Sequence, residues 1–61
     1  MKTDQEWEEA KDYLDECREI YTSIGVAGMF ALRRIIDPLL IRYERGERTE
    51  ELYDEIMGVK L

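Results

Sequence analysis

The residues of this chain that could do chemistry are carboxylates and a single thiol, and histidine is absent. General acid–base catalysis needs a carboxyl group whose pKa is shifted inside a pocket. A short helical chain of 61 residues offers no obvious place for such a pocket. The segment "GVAG" lacks the preceding strand that a phosphate-binding loop requires. We therefore predict that the protein is not an enzyme and binds no cofactor.

Cys17 is the only cysteine in the sequence. One cysteine and no histidine exclude both an intrachain disulfide and a Cys/His zinc site within one chain. Cys17 lies on the apolar stripe of a predicted helix, and no neighbouring base is evident that would activate it. This position favours a core residue. The alternatives are a reactive thiol or a disulfide between two chains.

Four acidic residues share one face of the first predicted helix, at spacings of four, three and four. We call them the acidic stripe: Glu8, Asp12, Asp15 and Glu19. Like charges four residues apart destabilise a helix by a few tenths of a kcal/mol per pair. The stripe is either a surface for a basic partner, or even a mimic of DNA phosphates, or a solvated face of an acidic protein. Trp7, near the chain end, is added to this possible partner surface because aromatic residues favour interfaces.

Direct binding to nucleic acid is disfavoured, although "RYERGERTEELYDEI" has the outline of a helix-turn-helix. The helix that would enter the groove carries no basic residue and four acidic ones: Glu50, Glu51, Asp54 and Glu55. The net charge of −6 also opposes nonspecific binding to phosphates. Five arginines could form a separate basic patch: Arg33, Arg34, Arg42, Arg45 and Arg48. Salt bridges from these arginines to the acidic first helix are the favoured interpretation.

The spacing of apolar residues predicts an all-α chain of three helices, at about 4–24, 27–45 and 49–57. Thr3 followed by Glu6 is a capping-box pattern that begins the first helix. Apolar residues then recur every three or four positions, which defines a core-facing stripe: Trp7, Ala10, Leu14, Cys17, Tyr21 and Ile24. One 61-residue domain is the most that this length allows.

The end of the first helix has two interpretations. Gly25 suits the left-handed residue after a helix C-terminus, and Val26 could then contact Tyr21, which predicts a helical hairpin. The apolar stripe also continues in register through Gly28, Ala31 and Ile35, as in one unbroken helix. Each glycine would cost that helix about 1 kcal/mol relative to alanine. The hairpin is favoured.

The second helix contains Pro38, which removes one backbone hydrogen bond and clashes with the preceding turn. Asp37 is a good N-cap and Pro38 a good first helical residue, so the helix either kinks there or a new helix starts. The third helix begins at the cap Thr49 and ends at Gly58. Because nine residues do not hold a helix alone in water, it must dock on the other two.

The most apolar stretch, "IGVAGMFALRRIIDPLLI", has no more than nine consecutive apolar residues, from Ile24 to Leu32. A membrane span needs about 20, so we predict no membrane segment. The apolar arc of the second helix is wider than one neighbouring helix can cover. We therefore predict a homodimeric helical bundle whose interface consists of Met29, Leu32, Ile35, Ile36, Leu39 and Leu40. Phe30 is expected in the core.

The single thiol and an acidic N-terminal segment unlike a signal peptide predict a cytoplasmic protein. The strings "DPLLIRYERGERTEELYDEIM" and "EWEEAKDYLDECREIY" resemble the small early-region accessory proteins of lambda-like temperate phages. That resemblance implies a protein of the bacterial host cell that acts through protein contacts on host physiology or on the lytic–lysogenic choice. The expected function is non-enzymatic binding of a host or phage protein. The alternative is a small transcriptional or nucleic-acid regulator, or a DNA mimic.

Overall fold

The computed structural model describes residues 2–60, and these form three helices with no strand. Helix α1 spans Asp4–Ser23 and is followed by a turn at Gly25. Helix α2 comprises residues 26–44, and helix α3 spans Glu50–Met57. The predicted all-α class, with a helical hairpin and a short third helix, is confirmed.

The capping box at the start of α1 is present as predicted. The Glu6 amide donates to the Thr3 hydroxyl at 3.2 Å, and the Thr3 amide donates to the Glu6 carboxylate at 3.1 Å. Since the Thr3 amide stabilises the charged carboxylate, the pKa of Glu6 lies below its usual value. One face of α1 is then buried along its length by Trp7, Ala10, Leu14 and Cys17.

Gly25 separates α1 from α2 because its φ of 103° lies in the left-handed region that side chains avoid. The hairpin interpretation is therefore correct, and the continuous helix is not formed. Val26 is 75% exposed, so it contributes little to closing the turn. The tight contact comes from Gly28 instead, where an added Cβ would lie 1.9 Å from the Tyr21 carbonyl oxygen.

Helix α2 is irregular just before Pro38. Its central turn, Leu32–Ile36, is a π-helix, and the Asp37 amide donates to the Leu32 carbonyl five residues earlier. Regular α-helix resumes over Asp37–Glu44, with Pro38 in its first turn. The irregularity predicted at Pro38 therefore takes the form of a wider turn that brings the chain to a residue without an N–H donor.

Helix α3 begins at the predicted cap, where the Leu52 amide donates to the Thr49 hydroxyl at 3.1 Å. Leu52 and Ile56 turn inward, and Val59, just beyond the helix, is buried beside them. The core joins all three helices and the final residues: Trp7, Ala10, Leu14, Cys17, Ile36, Leu39, Leu52, Ile56 and Val59. The third helix and the segment after it thus cover part of α2 that we expected a second chain to cover.

Candidate functional site

Four exposed apolar side chains surround the turn between α1 and α2. We call them the apolar tip: Ile24, Val26, Met29 and Phe30. Phe30 is 63% exposed, so it is not part of the core of the single chain. Val26, Met29 and Phe30 line a shallow groove of about 240 Å³ together with Arg33. Exposed apolar residues that adjoin one another are typical of interaction surfaces.

The apolar tip lies at one end of an elongated molecule. Helix α1 has 20 residues and is therefore about 30 Å long, while the longest dimension of the molecule is 36 Å. Gly28 is the residue of this turn that faces α1 closely. Because the glycine side of the helix is the buried side, Val26, Met29 and Phe30 are left pointing away from the core.

The six residues predicted for a dimer interface have three different environments. Ile36 and Leu39 belong to the intrachain core, where they pack among side chains of α1 and α3. Leu32 and Leu40 are half-buried against that core. Only Met29 and Ile35 are exposed to a second molecule. In this packing, a second copy would meet the apolar tip and Ile35 before it met the buried residues.

Three residues of the acidic stripe are exposed, and the fourth, Asp15, is half-buried and paired within the helix. The Asp15 carboxylate accepts from the Lys11 ammonium group at 2.8 Å and lies 4.0 Å from the Arg18 guanidinium. Glu8, Asp12 and Glu19 are exposed and form no ion pair within residues 2–60. The negative charge of the stripe is therefore only partly balanced by the chain itself.

Trp7 is a core residue, as its place on the core-facing stripe predicts, and its burial excludes it from the possible partner surface on α1. It is 5% exposed and packs edge-on against Tyr53, with ring centroids 5.5 Å apart. The Arg48 guanidinium lies 5.3 Å from the Trp7 ring and 3.8 Å from the Tyr43 ring. Cation–π contacts of this kind contribute about 0.5–1 kcal/mol at an exposed site. Trp7 thus anchors the loop before α3 and leaves the partner surface to other residues.

Salt bridges from the arginines of residues 33–48 to α1 were predicted, but none is formed within residues 2–60. Arg42 binds the Glu47 carboxylate at 3.1 Å from Nε and contacts Glu55 on α3. Hydrogen bonds to both carboxylates raise the pKa of Arg42, and the bond from Arg42 lowers the pKa of Glu47. With Arg48 stacked on aromatic rings, two members of the suggested basic patch are engaged in holding the fold together.

Cys17 occupies the core, as its spacing predicts. Burial raises the pKa of its thiol, which keeps the sulfur protonated and unreactive at neutral pH. Tyr13 lies beside it, and burial likewise raises the pKa of the Tyr13 phenol. No three potential metal ligands come together within the part of the chain that the structure describes. The side chains that could act in catalysis or bind a metal are therefore dispersed or buried.

The C-terminal segment contains contacts that the sequence analysis missed. The Tyr13 hydroxyl donates to the Val59 carbonyl, and the Tyr21 hydroxyl donates to the Lys60 carbonyl. These bonds hold the segment after α3 along α1. No local pattern predicts these two bonds, because they join residues 46 and 39 positions apart.

Helices within residues 2–60 fall short of the length and apolar character that crossing a bilayer demands. No known protein family, curated protein or solved structure shows significant similarity to the chain. A functional conclusion therefore has to be argued from the surfaces themselves. Among these, the apolar tip is the surface where four exposed apolar side chains adjoin one another.

Proposed function

We propose that this chain is a non-enzymatic interaction protein that pairs with a second copy through the apolar tip. The single observation that carries the proposal is the exposure of the apolar tip, three of whose residues line one shallow groove: Val26, Met29 and Phe30. Large apolar side chains contribute about 1.5–3 kcal/mol each when they are fully removed from water. A second copy supplies the same apolar surface, and a two-fold arrangement uses every contact twice.

Pairing through the tip alone gives a weak dimer. Association loses roughly 4–15 kcal/mol of translational and rotational freedom, and a stable interface covers about 800 Å² on each partner. The whole described chain exposes 4416 Å², of which the tip is a small part. We therefore expect a dimer dissociation constant of about 1 μM or higher. The fraction of dimer then depends on the concentration of the protein.

In the proposed dimer, the acidic stripe stays exposed and can bind a different protein. Glu8 and Asp12 are exposed and four residues apart, so a basic partner surface would relieve their mutual repulsion. The resemblance to phage early accessory proteins supports the same role, namely binding a host or phage protein inside the bacterial cell. Interaction with a basic protein surface is favoured over contact with phosphates because the net charge is −6.

The pairing is tested by sedimentation equilibrium of the wild-type chain and two matched variants. Phe30→Glu places a charge in the apolar tip, whereas Ile41→Glu places the same charge at an exposed apolar residue outside it. We expect concentration-dependent dimerisation of the wild type, at least a roughly tenfold weaker dimer for Phe30→Glu, and little change for Ile41→Glu. A wild-type chain that stays monomeric well above micromolar concentration, or equal losses in both variants, contradicts the proposal.

The partner surface is tested by capture of bacterial proteins on the immobilised chain. Reversing Glu8 and Asp12 to lysine should remove the captured protein while circular dichroism stays helical. Reversing Glu50 and Glu51 on α3 makes the same change of charge elsewhere and serves as the control. Capture that survives the first reversal, or is lost equally in both, removes the acidic stripe from consideration.

A further inference from the structure

Two exposed arginines follow the apolar tip on α2. Arg33 lines the groove itself with Val26, Met29 and Phe30, and Arg34 is exposed beside it. The ion pairs within residues 2–60 take their basic members from elsewhere in the chain: Lys2, Lys11, Arg18 and Arg42. Neither Arg33 nor Arg34 has a carboxylate of the described chain within 4.0 Å. Positive charge that the chain itself does not neutralise therefore lies beside the apolar tip.

An unpaired carboxylate lies near the same end of the molecule, on the other helix of the hairpin. Glu19 is the last acidic residue before the turn at Gly25, and it is exposed. It borders a shallow depression together with Asp15, Arg18, Thr22 and Ser23, and the Arg18 guanidinium there lies 4.0 Å from Asp15 and forms no ion pair with Glu19. Around the turn, the molecule thus has an apolar patch with uncompensated positive charge on α2 and uncompensated negative charge on α1.

We infer that Glu19 of one copy forms ion pairs with Arg33 and Arg34 of a second copy, across the paired apolar tips. This inference rests on the pairing proposed above. In an antiparallel two-fold arrangement, the arginines of each copy extend past the other copy's turn towards its α1. The same symmetry forms the contact twice. The occupant of the groove is therefore a second copy of this chain.

Charge distribution favours a second copy over an anionic lipid surface. An apolar tip with two arginines has the composition of a membrane-inserting turn. However, residues 1–24 carry eight acidic and three basic residues, a net charge of −5, and Glu19 lies among them close to the turn. An anionic bilayer would repel α1 while it attracted the arginines. A second copy matches both signs at once.

The ion pairs set the specificity and salt dependence of the dimer rather than most of its affinity. Exposed pairs contribute little individually, so we expect each charge reversal to weaken the dimer about three- to tenfold at low salt. Raising the salt from about 50 mM to about 500 mM should remove most of that difference, because it shortens the screening length to a few ångströms. The apolar contacts should persist.

The test measures the dimer dissociation constant of the whole chain by sedimentation at both salt concentrations. Glu19→Arg and the double variant Arg33→Glu/Arg34→Glu should each weaken the dimer at low salt. The triple variant, which exchanges both signs, should restore it. Glu51→Arg makes the same charge change on α3 and should leave the dissociation constant unchanged. Failure of the triple variant to recover, or an effect of Glu51→Arg equal to that of Glu19→Arg, overturns the inference.

The Phe30→Glu variant separates this inference from the proposed function. If Phe30→Glu dissociates the dimer and the charge reversals change nothing, the pairing stands and the ion pairs are refuted. If Phe30→Glu has no effect, the pairing itself fails. Co-sedimentation with phosphatidylserine-containing vesicles provides the last arm. Binding of the wild-type chain that disappears in Arg33→Glu/Arg34→Glu assigns the tip to a lipid surface and overturns the inference.

Discussion

The first end of helix α2 is more apolar than the last, yet only the last is covered. In the first segment, Val26–Ala31, the sole fully buried residue is Gly28, and Val26 and Phe30 face the solvent. In residues 36–44, Ile36 and Leu39 are buried. The difference lies in the neighbours: α1 packs against residues 26–36 of the helix, whereas α3 packs against its last segment, residues 37–44. Exposure of the tip thus follows from the reach of α3 and not from local composition.

The comparison also shows how the covered end is held. Arg42 on α2 binds Glu47 in the loop and Glu55 on α3, which fixes the short third helix in place. Tyr13 and Tyr21 bind the carbonyls that follow α3. The first segment of α2 packs against α1 alone of the other two helices, most closely at Gly28. One end is therefore stabilised by several elements, while the other is free to meet another molecule.

Truncating the covered end should have the largest effect. Ile36→Ala removes a fully buried side chain and should destabilise the fold by about 2–5 kcal/mol, comparable to the whole stability of a domain this small. Ile35→Ala changes the adjacent isoleucine, which is 48% exposed, and should cost less than about 1 kcal/mol. Urea unfolding followed by circular dichroism measures both. Equal losses would show that the two residues share one environment.

Filling the close contact at the tip should have the next largest effect. Gly28→Ala gains about 1 kcal/mol of helix propensity, but its Cβ would lie 1.9 Å from the Tyr21 carbonyl oxygen. Since backbone must move to relieve that clash, we expect a net loss of about 1–3 kcal/mol in the free energy of unfolding.

Ala27→Gly at the neighbouring exposed position measures the propensity term alone, with a loss of about 1 kcal/mol. If propensity were the only contribution, Gly28→Ala would be stabilising by a similar amount. A stabilised Gly28→Ala variant would therefore refute the close approach of the two helices.

Removing a phenol hydroxyl tests the attachment of the C-terminal segment to the covered end. Tyr13→Phe deletes the donor to the Val59 carbonyl and should cost about 0.5–1.5 kcal/mol, and Tyr21→Phe should cost less because its bond is exposed. Tyr43→Phe is the control, since the Tyr43 hydroxyl has no hydrogen-bond partner among residues 2–60. A loss in Tyr43→Phe as large as that in Tyr13→Phe would assign the effect to ring packing.

Periodicity was sufficient to predict α1, its cap and the inward residues Leu52, Ile56 and Cys17, because those features depend on local spacing. It could not predict which arc of α2 is covered, since that depends on where α3 and Val59 dock. Ile36 was predicted to contact a second chain, but it packs in the core of its own chain. These contacts join residues far apart in sequence.

The sequence also contains a signal for the apolar tip. Val26 and Phe30 are four residues apart, which places them on a common helix face away from Leu32 and Ile36. The basic residues Arg33 and Arg34 continue that outer face. An apolar pair outside the main stripe is a reason to expect an exposed patch. The glycine contact that orients it, between Gly28 and Tyr21, depends on helix crossing geometry and leaves no local pattern.

The smallest expected effect concerns the clamp that holds α3 on the covered end, and it appears at acid pH. The hydrogen bond from Arg42 lowers the pKa of Glu47 below 4.5 in the folded chain. A carboxyl group with a lowered folded pKa contributes stability above its unfolded pKa, and that contribution is lost as the pH falls through the folded value. Glu47→Gln should therefore lower the urea midpoint at pH 7 and flatten its decline below about pH 4.5.

Glu44→Gln removes the same charge from an exposed residue that forms no ion pair within residues 2–60. Both variants change the net charge equally, so they share the general effect of protonating an acidic protein and the contribution of Glu6. Only the loss of the Arg42 contact distinguishes them. If the urea midpoints of the two variants decline in parallel at acid pH, the contact between Arg42 and Glu47 does not help to hold α3. The contrast between the two ends of α2 would then rest on apolar packing alone.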